Sequence, residues 1–271
     1  MAYKTDHYEN FPVASILLPH HLRKPVQIIY AFARQADDFA DEGNFSPEER
    51  LNLLQNFRNE LDCIKNKTFP KTALFSDISD MVAKWQLPLE PFYDLLDAFS
   101  QDVTKTRYAN FGEVMDYCRR SANPVGRLLL HLYNAATPRN LAYSDGICSS
   151  LQLINFLQDV PIDFRKNRIY LPQDEMAQYG ISESQIAEGS VKGLWQPFML
   201  FQVERARKLL QAGAPLGKIL KGRIGLELRM IIMGGESILR KLHHEPDVFA
   251  HRPVLAKKDW VYMLYRALLA R

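Results

Sequence analysis

Two stretches hold the residue types that can do chemistry. The first, Leu151 to Asp163, reads LQLINFLQDVPID. Taken as a helix, Gln152, Asn155 and Asp159 fall three and four residues apart and stack on one face, and Asp163 continues the stripe four residues on. Leu151, Leu153, Ile154, Phe156, Leu157 and Val160 between them are apolar. Such a helix is buried, and its polar stripe turns to a cavity or a partner. Two carboxylates and an amide oxygen without a nearby lysine suit a hard divalent cation such as Mg²⁺. Pro161 lacks an N–H and crowds the carbonyl of Leu157, so the helix kinks or ends there and Asp163 sits on a distorted turn. The alternative is a half-buried helix whose acids pair with Arg165 or Arg168.

The second stretch, Ala36 to Asp41, reads ADDFAD. Tyr30, Arg34, Asp37 and Asp41 follow the same helical steps, and Asp38 lies to one side within reach of Arg34. One acidic pair alone is weak, because solvated acidic helix ends are common. Two pairs, each set in an apolar helix of one chain, point to facing helices that hold several Mg²⁺ ions with a diphosphate between them. Metal-assisted ionisation of a diphosphate ester requires that arrangement.

The elements that must position these groups read as helices throughout. Pro25 suits a first turn, with that helix running to Glu42 and Gly43 as its stop. Ser46, Pro47 and Glu49 form a capping-box pattern opening a helix to about Lys65. Helical patterns then cover about Thr72 to Gln86, Glu90 to Val103, Phe111 to Tyr133 (with Pro124 and Gly126 inside), and Ser144 to Val160. Phe164 to Pro172 reads as a loop and Ser182 to Gly189 as a short segment. Helices follow at about Leu194 to Gln211, Lys218 to His243 and Lys257 to Arg271. Paired strand signals are absent. The expectation is an all-α fold, a single domain spanning residues 1–271, with about ten helices and the acids on facing helices.

With 34 basic and 31 acidic residues the net charge is +3, which gives no global field for nucleic acid. The 271 residues are 47% hydrophobic, enough for a substantial core. Three scattered cysteines, Cys63, Cys118 and Cys148, suggest buried thiols in a reduced compartment. The N-terminus has no signal-peptide core and no run of about 18 apolar residues occurs, so the expected location is cytoplasmic.

Other motifs carry less. Tyr117 to Gly126, YCRRSANPVG, places small residues beside a proline kink; it reads either as tight helix packing or as a tunnel wall whose freed carbonyls face a developing cation. In the loop FRKNRIYLP, Arg168 and Tyr170 read as diphosphate contacts, since arginine makes paired charge-assisted bonds to such oxygens. Gln101 to Tyr108 reads as a solvated helix end. GKILKGRIG lacks the Lys-Ser/Thr pair of a phosphate loop, and no dinucleotide fingerprint follows a strand. His243, His244 and His251 lack zinc spacing. Trp260, Met263, Leu264 and Leu268 make an apolar stripe on the last helix, read as core packing by default and as a peripheral membrane contact otherwise.

AFARQADDFAD, YCRRSANPVG, QLINFLQDVPID and RIYLP together resemble the squalene and phytoene synthase family, over nearly the whole chain. HYENFPVASILLP and NFLQDV are most similar to its hopanoid-pathway branch. The resemblance implies an isoprenoid synthase-type helical bundle around a central cavity. It implies that Asp37, Asp41, Asp159 and Asp163 serve a Mg²⁺–diphosphate site, with Asn155, Arg34, Arg168 and Tyr170 in support. Tyr117, Gln152 and the segment containing Ser121, Ala122 and Gly126 would line a hydrocarbon tunnel; Tyr30, Asn10 and Phe11 would close its front.

Three positions depart from the family's general pattern. Gln158 stands where arginine is usual, Ser121 and Asn123-Pro124 replace a Val-Ala-Gly-type run, and Asn10 replaces serine. Losing a cation beside the diphosphate surface argues against binding two farnesyl diphosphates. It fits a branch that takes presqualene diphosphate, releases diphosphate and adds water to give hydroxysqualene. Rival expectations are condensation of two prenyl diphosphates, a non-catalytic assembly or lipid-carrying protein, and a terpene cyclase. Intact aspartates disfavour the second; the spacing of the second acidic stretch disfavours the third.

Overall fold

The computed structural model describes residues 18–269, and it is helical. Asn10 and Phe11 lie outside the described residues. The helices are α1 His20–Asp41, α2 Pro47–Lys65, α3 Ala73–Trp85, α4 Glu90–Thr104, α5 Phe111–Ser121, α6 Asn123–Leu132, α7 Pro138–Gln158, α8 Val160–Arg165, α9 Gln173–Gln178, α10 Glu183–Ala187, α11 Trp195–Gly213, α12 Leu216–Ile219, α13 Gly222–His244 and α14 Lys257–Leu269. An isolated bridge joins Arg107 to Ile169; no named strand occurs among the described residues.

The described residues form two compact units, one of residues 18–105 and 119–141, the other of residues 106–118 and 142–269. The chain crosses between them after Lys105, within α5 and within α7.

In the first unit, α1 packs on α2, α3 and α4 through an aromatic cluster. Phe32 is fully buried and meets Phe75 and Phe92 edge-on at 5.9 and 5.1 Å, while Phe57 stacks on it at 5.7 Å. Aromatic contacts of this kind add to area burial and fix side-chain direction, so they set the rotation of α1 and the face on which its acids emerge. Local signals end the helices. Ser46 and Glu49 complete a reciprocal capping box on α2, Thr72 caps α3, and Gly43, with φ +74°, follows the end of α1.

In the second unit, α7 lies close against α11. A Cβ on Gly213 would come within 2.5 Å of the Tyr143 carbonyl oxygen, so only glycine admits this approach. Ser150 Oγ donates to the carbonyl of Ala206 at 2.7 Å, adding a buried hydrogen bond to the same contact. The segment after α8 is tied along Thr106–Tyr108: Ile169 N donates to Thr106 O at 3.0 Å, and Gln173 N to Tyr108 O at 2.9 Å.

Several boundaries differ from the sequence reading. Pro25 lies inside α1, which begins at His20, at the cost of one donor to the His21 carbonyl. The stretch expected as one helix from Phe111 breaks at Ala122 (φ −112°, ψ −47°), because Pro124 restarts the chain as α6. The helix α7 starts at Pro138, earlier than expected. The stretch from Lys218 divides into α12 and α13 around an extended Leu220 and Gly222 at φ +65°. The short helix α9 was not anticipated.

Candidate functional site

The acids of α1 emerge beside one guanidinium. Arg34 Nη1 donates to Asp37 Oδ2 at 3.2 Å, and its Nη2 lies 2.8 Å from Asp38 Oδ1 without the alignment of a hydrogen bond. The expected reach from Arg34 to Asp38 is therefore present. Asp41 follows one turn on and Asp102 comes from α4. The Asp37 carboxyl is pushed up from 3.8 to about 7, first by burial and then by the charge of Asp41; Asp102 and Asp38 add to this and Arg34 opposes it. Its side chain is 39% exposed, so the group is ringed by protein yet open to solvent. Excess negative charge at an accessible, oxygen-lined position fits a divalent cation. Tyr30 is half-buried on the same helix.

Around the α5–α6 break, Ser121 and Ala122 are half-buried, and Asn123, Pro124 and Gly126 are buried. The Oγ of Ser121 is shielded from solvent and has no hydrogen-bond partner among the described residues. A buried hydroxyl without a protein partner fits an ordered water or a polar ligand atom.

In the second unit the polar stripe of α7 faces outward from its core. Asn155 is exposed and Gln152, Asp159 and Asp163 are half-buried, whereas Leu153, Ile154, Phe156 and Leu157 are buried. Asp159 is the residue between α7 and α8, with φ −105° and ψ 12°. Pro161 occupies the first turn of α8, and the Asp163 N–H bonds the Asp159 carbonyl at 2.8 Å. The expected distortion is thus a clean break, with Asp163 on the helix beyond it.

Asp159 pairs with Arg252, from the segment after α13, rather than with Arg165 or Arg168. Arg252 Nε reaches Oδ1 at 2.5 Å and Nη2 reaches Oδ2 at 3.0 Å. Beside it Gln158 is fully buried and donates to the Pro253 carbonyl at 2.5 Å. The neutral side chain at 158 therefore serves as an anchor for the segment carrying Arg252. Among the described residues no three His, Cys, Asp or Glu side chains converge into a ready-made metal cage.

Tyr117 and Tyr170, both buried, belong to an aromatic stack. Tyr170 lies flat on Phe156 at 3.9 Å, and Tyr117 sits 5.5 Å from Tyr170 and 5.9 Å from Phe156. Tyr108 joins them at 5.7 Å from Tyr117 and 5.4 Å from Tyr170. It is 1% exposed, against the expectation of a solvated helix end. Its neighbours held a signal: Asn110 accepts from Glu113 N at 3.1 Å and Glu113 from Ala109 N at 2.8 Å, a reciprocal cap that starts α5 just beyond. Arg168 is half-buried in the same tethered segment, and its N–H bonds the Asp163 carbonyl at 2.8 Å.

The family model described as squalene/phytoene synthase matches residues 4–259. The chain is similar to a hydroxysqualene synthase of Rhodopseudomonas palustris, at 37% identity over 98% of this chain and 89% of that one. It is also similar to a hydroxysqualene synthase of Zymomonas mobilis, at 34% identity over 88% and 80%. Among solved structures, one titled as a squalene synthase from Alicyclobacillus acidocaldarius matches with a TM-score of 0.82 and 32% identity, over 88% of this chain and 89% of that one.

Proposed function

The chain belongs to the squalene/phytoene synthase family and is an enzyme that processes prenyl diphosphates, and on that premise we propose that it converts presqualene diphosphate and water to hydroxysqualene and diphosphate. The similarity to two proteins named hydroxysqualene synthase, across 88% and 98% of the chain, carries this choice.

Asp37, Asp41, Asp159, Asp163 and the Asn155 amide would hold Mg²⁺. Bound there, Mg²⁺ supplies charge neutralisation for a departing diphosphate. Burial and the charge of Asp41 oppose ionisation of Asp37, and a nearby divalent charge would favour it. Arg34, which already pairs with Asp37 and Asp38, and Arg168 would supply paired donors for phosphate oxygens.

The carbon–oxygen bond breaks with its electron pair leaving on diphosphate. The cyclopropylcarbinyl cation rearranges, a water oxygen bonds to carbon, and a proton is lost. The buried, mutually stacked rings of Tyr117, Tyr170 and Phe156 would form an aromatic wall that excludes bulk water. The unpartnered Ser121 hydroxyl is a fitting anchor for a water that a wholly apolar wall would not retain.

This balance needs no reductant, whereas squalene from the same cation needs a hydride. The neighbour titled squalene synthase favours that second reading. Gas-chromatographic product analysis decides: presqualene diphosphate with Mg²⁺ is expected to give hydroxysqualene at a rate independent of NADPH. Squalene appearing only with NADPH, or a hydrocarbon formed from two farnesyl diphosphates, would overturn the proposal.

A further inference from the structure

The last helix is apolar on two opposite sides. Its inward side is Met263 and Ala267, both fully buried, with Trp260 half-buried beside them. At 3.6 residues per turn the opposite arc has Val261 and Tyr265 at its centre, flanked by Leu264 and Tyr262. These keep 72%, 62%, 43% and 46% of their surfaces exposed, in that order. Leu264 therefore leaves the stripe read from the sequence and joins the outer face. A surface helix ordinarily carries charge on its outer arc, and contiguous exposed apolar side chains mark a site of interaction.

The surround of this arc is cationic. Lys257 and Lys258, one turn earlier on the same face, are exposed, as is Arg266 at its edge. The guanidiniums of Arg266 and of Arg240 on α13 each lie 5.9 Å from the Tyr262 ring. The acid on this helix, Asp259, is engaged by Lys241 Nζ at 2.5 Å and by Ala256 N at 2.7 Å. An adjoining cleft of about 560 Å³ is lined by Arg240, Lys241, His244, His251 and Lys258, with Glu245 and the paired Asp259 as its acids.

We propose that α14 is an interfacial helix that docks the chain on an anionic lipid bilayer. Val261, Leu264 and Tyr265 enter the acyl boundary, while the Tyr262 hydroxyl and the surrounding lysines and arginines meet lipid phosphates. Apolar area joined to basic charge binds such a surface, and long basic side chains reach headgroups from a submerged stem. The charge selects this occupant over a second copy of the chain: a two-fold dimer on this face would set the same basic rim against itself. Among the described residues no helix is long and apolar enough to cross a membrane, so attachment through this face is peripheral. The inference does not rest on the substrate, because vesicle binding needs no turnover.

The test is flotation of the full chain with phosphatidylcholine vesicles, with and without phosphatidylglycerol, at low and high salt. Binding is expected with phosphatidylglycerol and should weaken as salt rises. Lys257→Glu with Lys258→Glu should abolish it. Val261→Ser with Tyr265→Ser should reduce it about tenfold or more, from the apolar area lost. Both pairs are exposed, so circular dichroism and melting temperature should match the parent. Absence of binding to phosphatidylglycerol vesicles at low salt would overturn the proposal. So would binding that neither pair alters, or a dimer in sedimentation that the Val261/Tyr265 pair dissolves.

Discussion

Replacing Asp37 by asparagine should make the protein more stable and less active at once. The folded chain holds this carboxyl at about 7 against an ordinary 3.8, chiefly by burial and the charge of Asp41. Folding thus favours the protonated form. The penalty is absent where both folded and unfolded chains are protonated, below about pH 4, and is complete above about pH 7. A pKa moved from 3.8 to about 7 corresponds to about 4 kcal/mol. The side chain is 39% exposed, however, and solvent screening leaves about 1–2 kcal/mol of this. Asparagine has no charge to bury, and Arg34 keeps Asp38 as a partner. In EDTA at about pH 8 the variant should be more stable than the parent by that amount, or about 3–6 °C in melting temperature for a chain of this size. Near pH 4 the two should coincide. Turnover should fall at least about a hundredfold, through loss of a metal-binding carboxylate. Melts across pH, paired with steady-state diphosphate release, read both effects. A melting temperature equal to or below the parent's at pH 8 would refute the argued cost of the acid cluster. Parent-like turnover would remove Asp37 from the site.

Mg²⁺ binding should release protons between about pH 5 and 7 and tighten as pH rises through that range, because the raised Asp37 must ionise to bind; a calorimetric enthalpy independent of buffer ionisation would contradict this. Arg252→Met should cost about 1–2 kcal/mol in denaturant melts by stranding half-buried Asp159, with Arg252→Lys recovering only part, since an ammonium cannot span both oxygens. Unchanged stability would mean that the pair does not form in solution. Gln158→Arg should cost about 1–3 kcal/mol, because a larger cation must enter a fully buried position whose amide holds the Pro253 carbonyl; a variant melting like the parent would show that the position has room.

What the sequence revealed of the fold was local in origin. The capping box at Ser46 and the stop at Gly43 each depend on residues close by in the chain, and each stands where its pattern placed it. The reach from Arg34 to Asp38 is also within one helical turn. What was not legible depends on distance along the chain. Arg252 finds Asp159 across 93 positions, and no helical spacing forecasts that pairing, so the sequence reading offered nearer arginines instead. Tyr108 looked solvated because its neighbours are polar; the rings that bury it come from α5 and from the tethered segment after α8. On the last helix the stripe read as core does turn inward at Met263 and Trp260, while Leu264 lies on the outer face. The second apolar arc, around Val261 and Tyr265, was not legible from that stripe, because one apolar stripe does not exclude another.

Two of the breaks in the helical pattern share one physical cause, and both fall on candidate functional residues. Ala122 and Asp159 each lie two residues before a proline, Pro124 and Pro161, and each proline sits in the first turn of the helix that follows. A first-turn proline loses no hydrogen bond within its own helix, because the leading N–H groups have no helical acceptor. The cost falls on the helix behind it: the carbonyls of Arg120 and Leu157, four residues back, receive no bond from the proline nitrogen. In each unit a helix thus ends beside a candidate polar group, Ser121 in one and Asp159 in the other. The prolines fix where regular helix stops, at Ala122 beside Ser121 and at Asp159 itself.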